Sequence, residues 1–96
     1  MNPGWVYIVT NKPRGVLYVG VTSDLEGRIW EHRNGVYRGF THSYNCKRLV
    51  WYEDYDEIPD AIHREKRLKT WNRDWKIRLV EEMNPEWDDL FETIMW

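Results

Sequence analysis

Two short apolar runs open the chain, Trp5-Val6-Tyr7-Ile8-Val9 and Val16-Leu17-Tyr18-Val19-Gly20-Val21, with Asn11-Lys12-Pro13-Arg14-Gly15 between them. β-Branched and aromatic residues dominate both runs, and Asn, Pro and Gly are turn formers. Residues 5–10 and 16–22 are therefore expected to pair as an antiparallel hairpin. Side chains alternate along a strand, so Tyr18 and Gly20 share a face, and Gly20 leaves room there for a ligand's backbone to approach. Ser23-Asp24-Leu25-Glu26 has capping-box spacing and predicts a helix start, with Asn34-Gly35 as its stop. Leu25 and Ile29 face the core of this helix, while Arg28 and His32, four apart, form an adjacent stripe. Residues 36–45 read as a loop, 46–53 as a third strand centred on Leu49-Val50-Trp51-Tyr52, and the acidic 54–57 as a turn. Pro59 suits the first turn of a helix reaching about Trp71. A further helix over 74–83 is closed by Asn84-Pro85. Trp87, Leu90, Phe91, Ile94 and Met95 have helical spacing, so 86–96 is expected as a docking helix or tail. The pattern predicts an α/β fold, a small three-stranded antiparallel sheet flanked by helices, in one domain over 1–96.

Composition narrows the function classes. No apolar run approaches the roughly 20 residues of a membrane span, and Met1-Asn2-Pro3-Gly4 lacks signal-peptide character. Cys46 stands alone, which leaves neither an internal disulfide nor a cysteine zinc site. These features favour the cytoplasm and no membrane partner. The net charge of −2 is unevenly spread: residues 1–51 hold seven Lys/Arg against three Asp/Glu, and residues 52–96 seven against thirteen. The overall balance argues against non-specific nucleic-acid binding, which usually needs an excess of Lys and Arg, but the positive charge lies where the tyrosines lie and the acid mostly near the C-terminus. Some of the seven tryptophans must be core, because large aromatics supply much of the burial in a small domain.

Glu65 is the sharpest single position. At 100° per residue it falls in the middle of the stripe formed by Ile58, Ala61, Ile62 and Leu68. A carboxylate there is costly unless paired or bound to a cation. It either holds a metal, or forms a salt bridge to a nearby arginine, or sits at the core edge and reaches water. Tyr7 and Tyr18 taken singly read as half-buried strand residues, and Arg28 with His32 as a solvated helix face. His32 and His63 lack partners at metal-ligand spacing, so zinc is not expected. There is no glycine-rich phosphate loop and no GxSxG.

Taken together, these residues resemble the GIY-YIG nuclease family. The first motif reads Trp5-Val6-Tyr7 and the second Tyr18-Val19-Gly20; Arg28 follows eight residues later, His32 four after that, and Glu65 lies in the later helix. The resemblance spans roughly residues 5–85 and is nearest to the small stand-alone branch. It implies a metal-dependent endonuclease acting on nucleic acid, DNA in the first instance, with a protein partner for targeting. Tyr7 would be the general base, Tyr18 a ligand of phosphate or water, Arg28 a brace for the phosphate, and His32 a donor or proton carrier. Glu65 would hold one Mg²⁺ or Mn²⁺. Asn84 stands where the family's last polar site residue falls. The chain departs from the family pattern at Trp5, in place of the first glycine, and at Val21, His42 and Ser43, where basic residues occur. Gly20, Lys12, Arg14, Arg38, His42, Lys47 and Arg48 are the expected nucleic-acid-binding set. A binding module without catalysis would use the same basic surface but ignore Mg²⁺. A protein-interaction domain would pair Glu65 with a protein cation.

Overall fold

Every residue from Val6 to Thr10 is buried because their strand is the middle one. In this computed structural model, which describes residues 2–36 and 39–94, β1 (Gly4–Thr10) lies between β2 (Leu17–Thr22) and β3 (Arg48–Tyr55) in a sheet of order β2-β1-β3. Both pairings are antiparallel. The hairpin joining β1 to β2 closes with Gly15 N–H on the Lys12 carbonyl and Val16 N–H on Asn11 Oδ1. Arg14 takes a left-handed φ of 54° within it.

Period-two alternation sorts the sheet into two faces. Val6, Ile8 and Val19 pack with Ala61, Leu68 and Val80, so α3 (Ile58–Thr70) and α4 (Arg73–Met83) cover one face. Tyr7 and Val9 pack with Leu25, Ile29 and Phe91, so α1 (Leu25–Arg33) and α5 (Phe91–Ile94) cover the other. With both faces covered, the fold is the α/β architecture expected from the pattern. Among the described residues, no helix is long and apolar enough to cross a membrane.

Several boundaries differ from the sequence expectation, each for a local reason. The cap of α1 is Asp24, not Ser23: its carboxylate accepts the Gly27 N–H at 3.1 Å, and Thr22 Oγ1 accepts the Asp24 N–H. Within 36–45, expected as a loop, residues Phe40–Ser43 form a single turn, α2, following Gly39 at φ 92°. β3 begins two residues later than expected and runs through Asp54 and Tyr55, which pair with Trp5 and Gly4. The acidic turn is correspondingly shorter, since Glu53 is satisfied by the Tyr55 hydroxyl and by Arg64. A register shift between Ile8 and Val9 sets Ile8 opposite Trp51 and Val9 opposite Leu49. Val50 and Trp51 consequently pack on the same face. Ile62 does not join the α3 stripe and is 36% exposed, whereas Ala61, Glu65 and Leu68 are the buried positions of that helix. In the tail, Trp87 is buried but at φ 58°, so the helix is only Phe91–Ile94; Met95 lies outside the described residues. Asn84 accounts for the turn before it. It donates to the Val50 and Asp88 carbonyls and accepts the Asp88 N–H, tying 84–88 to β3.

One contact across β1 and β2 decides the shape of the α1 face. Tyr7 stands opposite Gly20, and a Cβ at Gly20 would fall 2.3 Å from both Tyr7 Cζ and Oη. The phenol therefore lies flat on the glycine. We expect Gly20→Ala to lower stability by about 1–3 kcal/mol through overpacking, measured by urea denaturation. An unchanged midpoint would show that the strands spread to accept a methyl group and that the ring is not held.

Candidate active site

The α1 face gathers residues that are far apart in the chain. Tyr7 leaves the centre of β1, 1% exposed, and its Oη lies 3.0 Å from His32 Nε2. The two rings meet edge-on, with centroids 5.6 Å apart. Tyr18, half-buried on the edge strand β2, sets its ring 6.1 Å from that of His32. His32 reaches this place because the α1 turns that bury Leu25 and Ile29 carry residue 32 to the same side. It is buried rather than part of a solvated face.

Burial, and secondarily the nearby positive charge of Arg28, push the His32 pKa down to about 4. Its imidazole is therefore neutral at pH 7 and offers the Tyr7 oxygen one donor or one acceptor according to tautomer. Arg28 is half-buried and lies 3.5 Å from Glu31.

Glu65 is buried in α3, on the opposite layer from the tyrosines. Lys69, one turn on, places its ammonium 2.6 Å from Glu65 Oε2. The same ammonium sits 5.9 Å from the centre of the Tyr18 ring, so this one lysine links the α3 carboxylate to the tyrosine side of the edge strand. Of the alternatives for Glu65, the ion pair is present, with a lysine as partner rather than an arginine. Sequence reasoning missed Lys69. The signal was there in the Glu-to-Lys spacing of four, which places both side chains on one helix face.

The expected basic set does not converge on this cluster. Arg14 forms a two-bond fork with Glu81 of α4, at 2.9 Å for each bond. Arg48 donates to the Trp87 carbonyl, and with Lys47, Arg33 and Asp89 it lines a separate surface recess. Lys12 and His42 are exposed; Arg38 lies outside the described residues. Gly20 is covered by the Tyr7 ring rather than open to a ligand's backbone.

Among the described residues, no group of three His, Cys, Asp or Glu side chains forms a ready-made metal cage. The donor set instead offers one carboxylate, Glu65, in a surface that already holds a cation against it. That suits Mg²⁺ or Mn²⁺, which take oxygen ligands and keep several of their own waters, completing the shell with substrate phosphate. The residues present therefore fit a single divalent ion.

The candidate residues thus fall in two parts, a buried Tyr–His pair on the α1 face and a carboxylate paired with a lysine on α3. A family model described as the GIY-YIG catalytic domain matches residues 3–78. The chain belongs to the GIY-YIG family, whose nucleases act on nucleic acid and generally use a divalent metal. It is similar to small UPF0213 proteins of staphylococci, which it matches almost end to end. It is 37% identical over 82 residues to one from Staphylococcus saprophyticus, covering 85% of this chain and 99% of the relative. For those of Staphylococcus epidermidis and Staphylococcus aureus N315 the identities are 33% and 34% over the same coverage. No solved structure matches the chain.

The buried histidine makes a pH prediction. Its folded pKa of about 4 lies below the ordinary value of 6.5, so the unfolded chain takes up this proton first. The stability it confers is complete above pH 6.5 and is lost as pH falls towards 4. Between pH 7 and pH 4.5 the wild type should lose roughly 2–3 kcal/mol more than His32→Gln, measured by urea denaturation at each pH. Parallel losses in the two proteins would mean that His32 titrates as it does in water.

Proposed function

We propose that this protein is a metal-dependent endonuclease that hydrolyses phosphodiester bonds in DNA, with Tyr7 as general base and Glu65 as ligand of one Mg²⁺ or Mn²⁺. The observation that carries this reading is the 3.0 Å contact between Tyr7 Oη and His32 Nε2, which joins two residues 25 positions apart inside a buried layer. A tyrosine with an unperturbed pKa near 10 is a weak base at neutral pH. A hydrogen bond donated to its oxygen stabilises the phenolate, and neutral His32 makes that bond in its Nε2–H tautomer. Arg28 adds positive charge on the same side and presents a planar fork of donors to a phosphate. Tyr18, half-buried beside them, hydrogen-bonds the phosphate or the attacking water. When bound, the divalent ion supplies Lewis-acid stabilisation of charge on the phosphoryl and leaving oxygens. The exposed Lys12 and Lys47 position the phosphate backbone without reading its sequence.

The 1% exposure of Tyr7 favours a second assignment within the same reaction: Tyr18 meets the water, and Tyr7 holds His32 in place. A catalytically silent DNA-binding module is the reading that a metal-dependence test removes.

That test uses supercoiled plasmid and branched DNA with Mg²⁺, Mn²⁺ or EDTA. Nicking should require metal and fall to background in Glu65→Gln, and the variant lacking the general base should lose about 10²–10⁴-fold. Tyr7→Phe and Tyr18→Phe, compared side by side, assign that role to the tyrosine whose loss is larger. Cleavage by Glu65→Gln at the wild-type rate would refute the metal assignment, and metal-independent binding without nicking would establish the silent module.

A further inference from the structure

Glu65 and Lys69 form a pair whose environment is lopsided. The glutamate side chain is 11% exposed and the lysine side chain 50% exposed. The buried partner is fixed within α3, while the ammonium rides on a flexible four-carbon stem at the surface. A carboxylate in this position needs a cation, and Lys69 at 2.6 Å supplies it. A divalent ion directed to the same carboxylate meets a positive charge already seated there. Two cations within contact distance of one carboxylate repel each other strongly in a partly desolvated site, so one must leave. The lysine has somewhere to go. Its ammonium is already 5.9 Å from the centre of the Tyr18 ring, whose face attracts a cation, and that side of the sheet edge is where the tyrosines gather.

Building on the assignment of Glu65 as the metal ligand, we propose that Lys69 is the resident counter-ion of Glu65 and holds down the affinity of the site for a divalent cation. It is a positioning residue. It keeps the buried carboxylate ionised and satisfied when no metal is present, and metal enters by displacing its ammonium. The pair thus makes a site that is stable empty and takes metal only weakly, in place of a cage of carboxylates that would be strained without it.

The experiment is a Mn²⁺ titration of the full chain without nucleic acid, following unbound Mn²⁺ by electron paramagnetic resonance. It compares wild type with Lys69→Gln, Lys69→Arg and Glu65→Gln, each first confirmed as folded by circular dichroism melting. Lys69→Gln removes the competing charge and should bind Mn²⁺ about 5-fold tighter or more, within the usual range for coupled sites. Lys69→Arg keeps the charge and should bind like wild type, whereas Glu65→Gln should lose the site. Binding by Lys69→Gln equal to or weaker than wild type, with Glu65→Gln still abolishing it, overturns the counter-ion proposal and leaves Glu65 as ligand. Undiminished binding by Glu65→Gln overturns the assignment of Glu65 itself.

Discussion

The ring of Tyr7 lies on the backbone of Gly20, and much of what surrounds it follows from that contact. A side chain at residue 20 would collide with the phenol carbon and its hydroxyl. Only with glycine there can a tyrosine of the central strand lie flat between the sheet and α1, so that its hydroxyl ends against His32 rather than in solvent. The same residue is at once core and candidate chemistry. Packing in protein interiors is dense enough that a ring held this way has little freedom, and such a ring is well suited to orient a hydroxyl. The cost falls on His32, which is drawn into the core and loses most of its ability to carry charge.

The candidate residues divide between the two faces of the sheet. The Tyr–His cluster belongs to the α1 face, and Glu65 to the α3 face. Lys69 spans the two at the edge strand β2, paired with Glu65 and 5.9 Å from the centre of the Tyr18 ring. The basic set gives little for a separate reason. Arg14 ties the hairpin to α4 through Glu81, which also accepts the Trp87 indole N–H, and Arg48 pins the tail through the Trp87 carbonyl. These cations hold the fold together, so an attraction for phosphate estimated by counting Lys and Arg in the first half of the chain is an overestimate.

The strands were legible in the sequence wherever pattern alone sets structure. β1 and β2 follow from two runs of β-branched and aromatic residues around a turn, and α1, α3 and α4 from caps, Pro59 and Asn84-Pro85. The misreadings came where tertiary contacts decide. The register shift opposite Ile8 and Val9 lets Val50 and Trp51 share a face, which no alternation rule anticipates. Tyr55 prolongs β3 because Glu53 and β1 receive it. Trp87 has the spacing of a helix but sits in the core at a positive φ, held near Asn84. In the site, Glu65 stood out as a polar residue on an apolar stripe, and Tyr7, Tyr18 and His32 were recognisable only through the family motif. The burial of His32 was not, because it depends on how α1 lies on the sheet. Gly20 was read as space for a ligand, whereas the space belongs to Tyr7. That distinction requires knowing which residue faces it across the strand pair.

A buried carboxylate proposed as a metal ligand poses a general physical problem. Without a cation it is destabilised by desolvation, so its folded state is favoured only by neutralisation or by a partner. A protein can gather several carboxylates and depend on the metal for stability, or it can provide one carboxylate and a cation of its own. The second solution separates folding from metal supply, because the ion pair satisfies the glutamate whether or not metal is present. It also makes metal uptake an exchange of cations rather than a simple addition, so the affinity becomes a difference between two attractions. On the proposed assignment, the exchange partner in this chain is a half-exposed lysine rather than a buried arginine fork. On the same assignment, a half-exposed cation on a flexible stem is the one to yield to a divalent ion, and the glutamate stays on the buried face of α3.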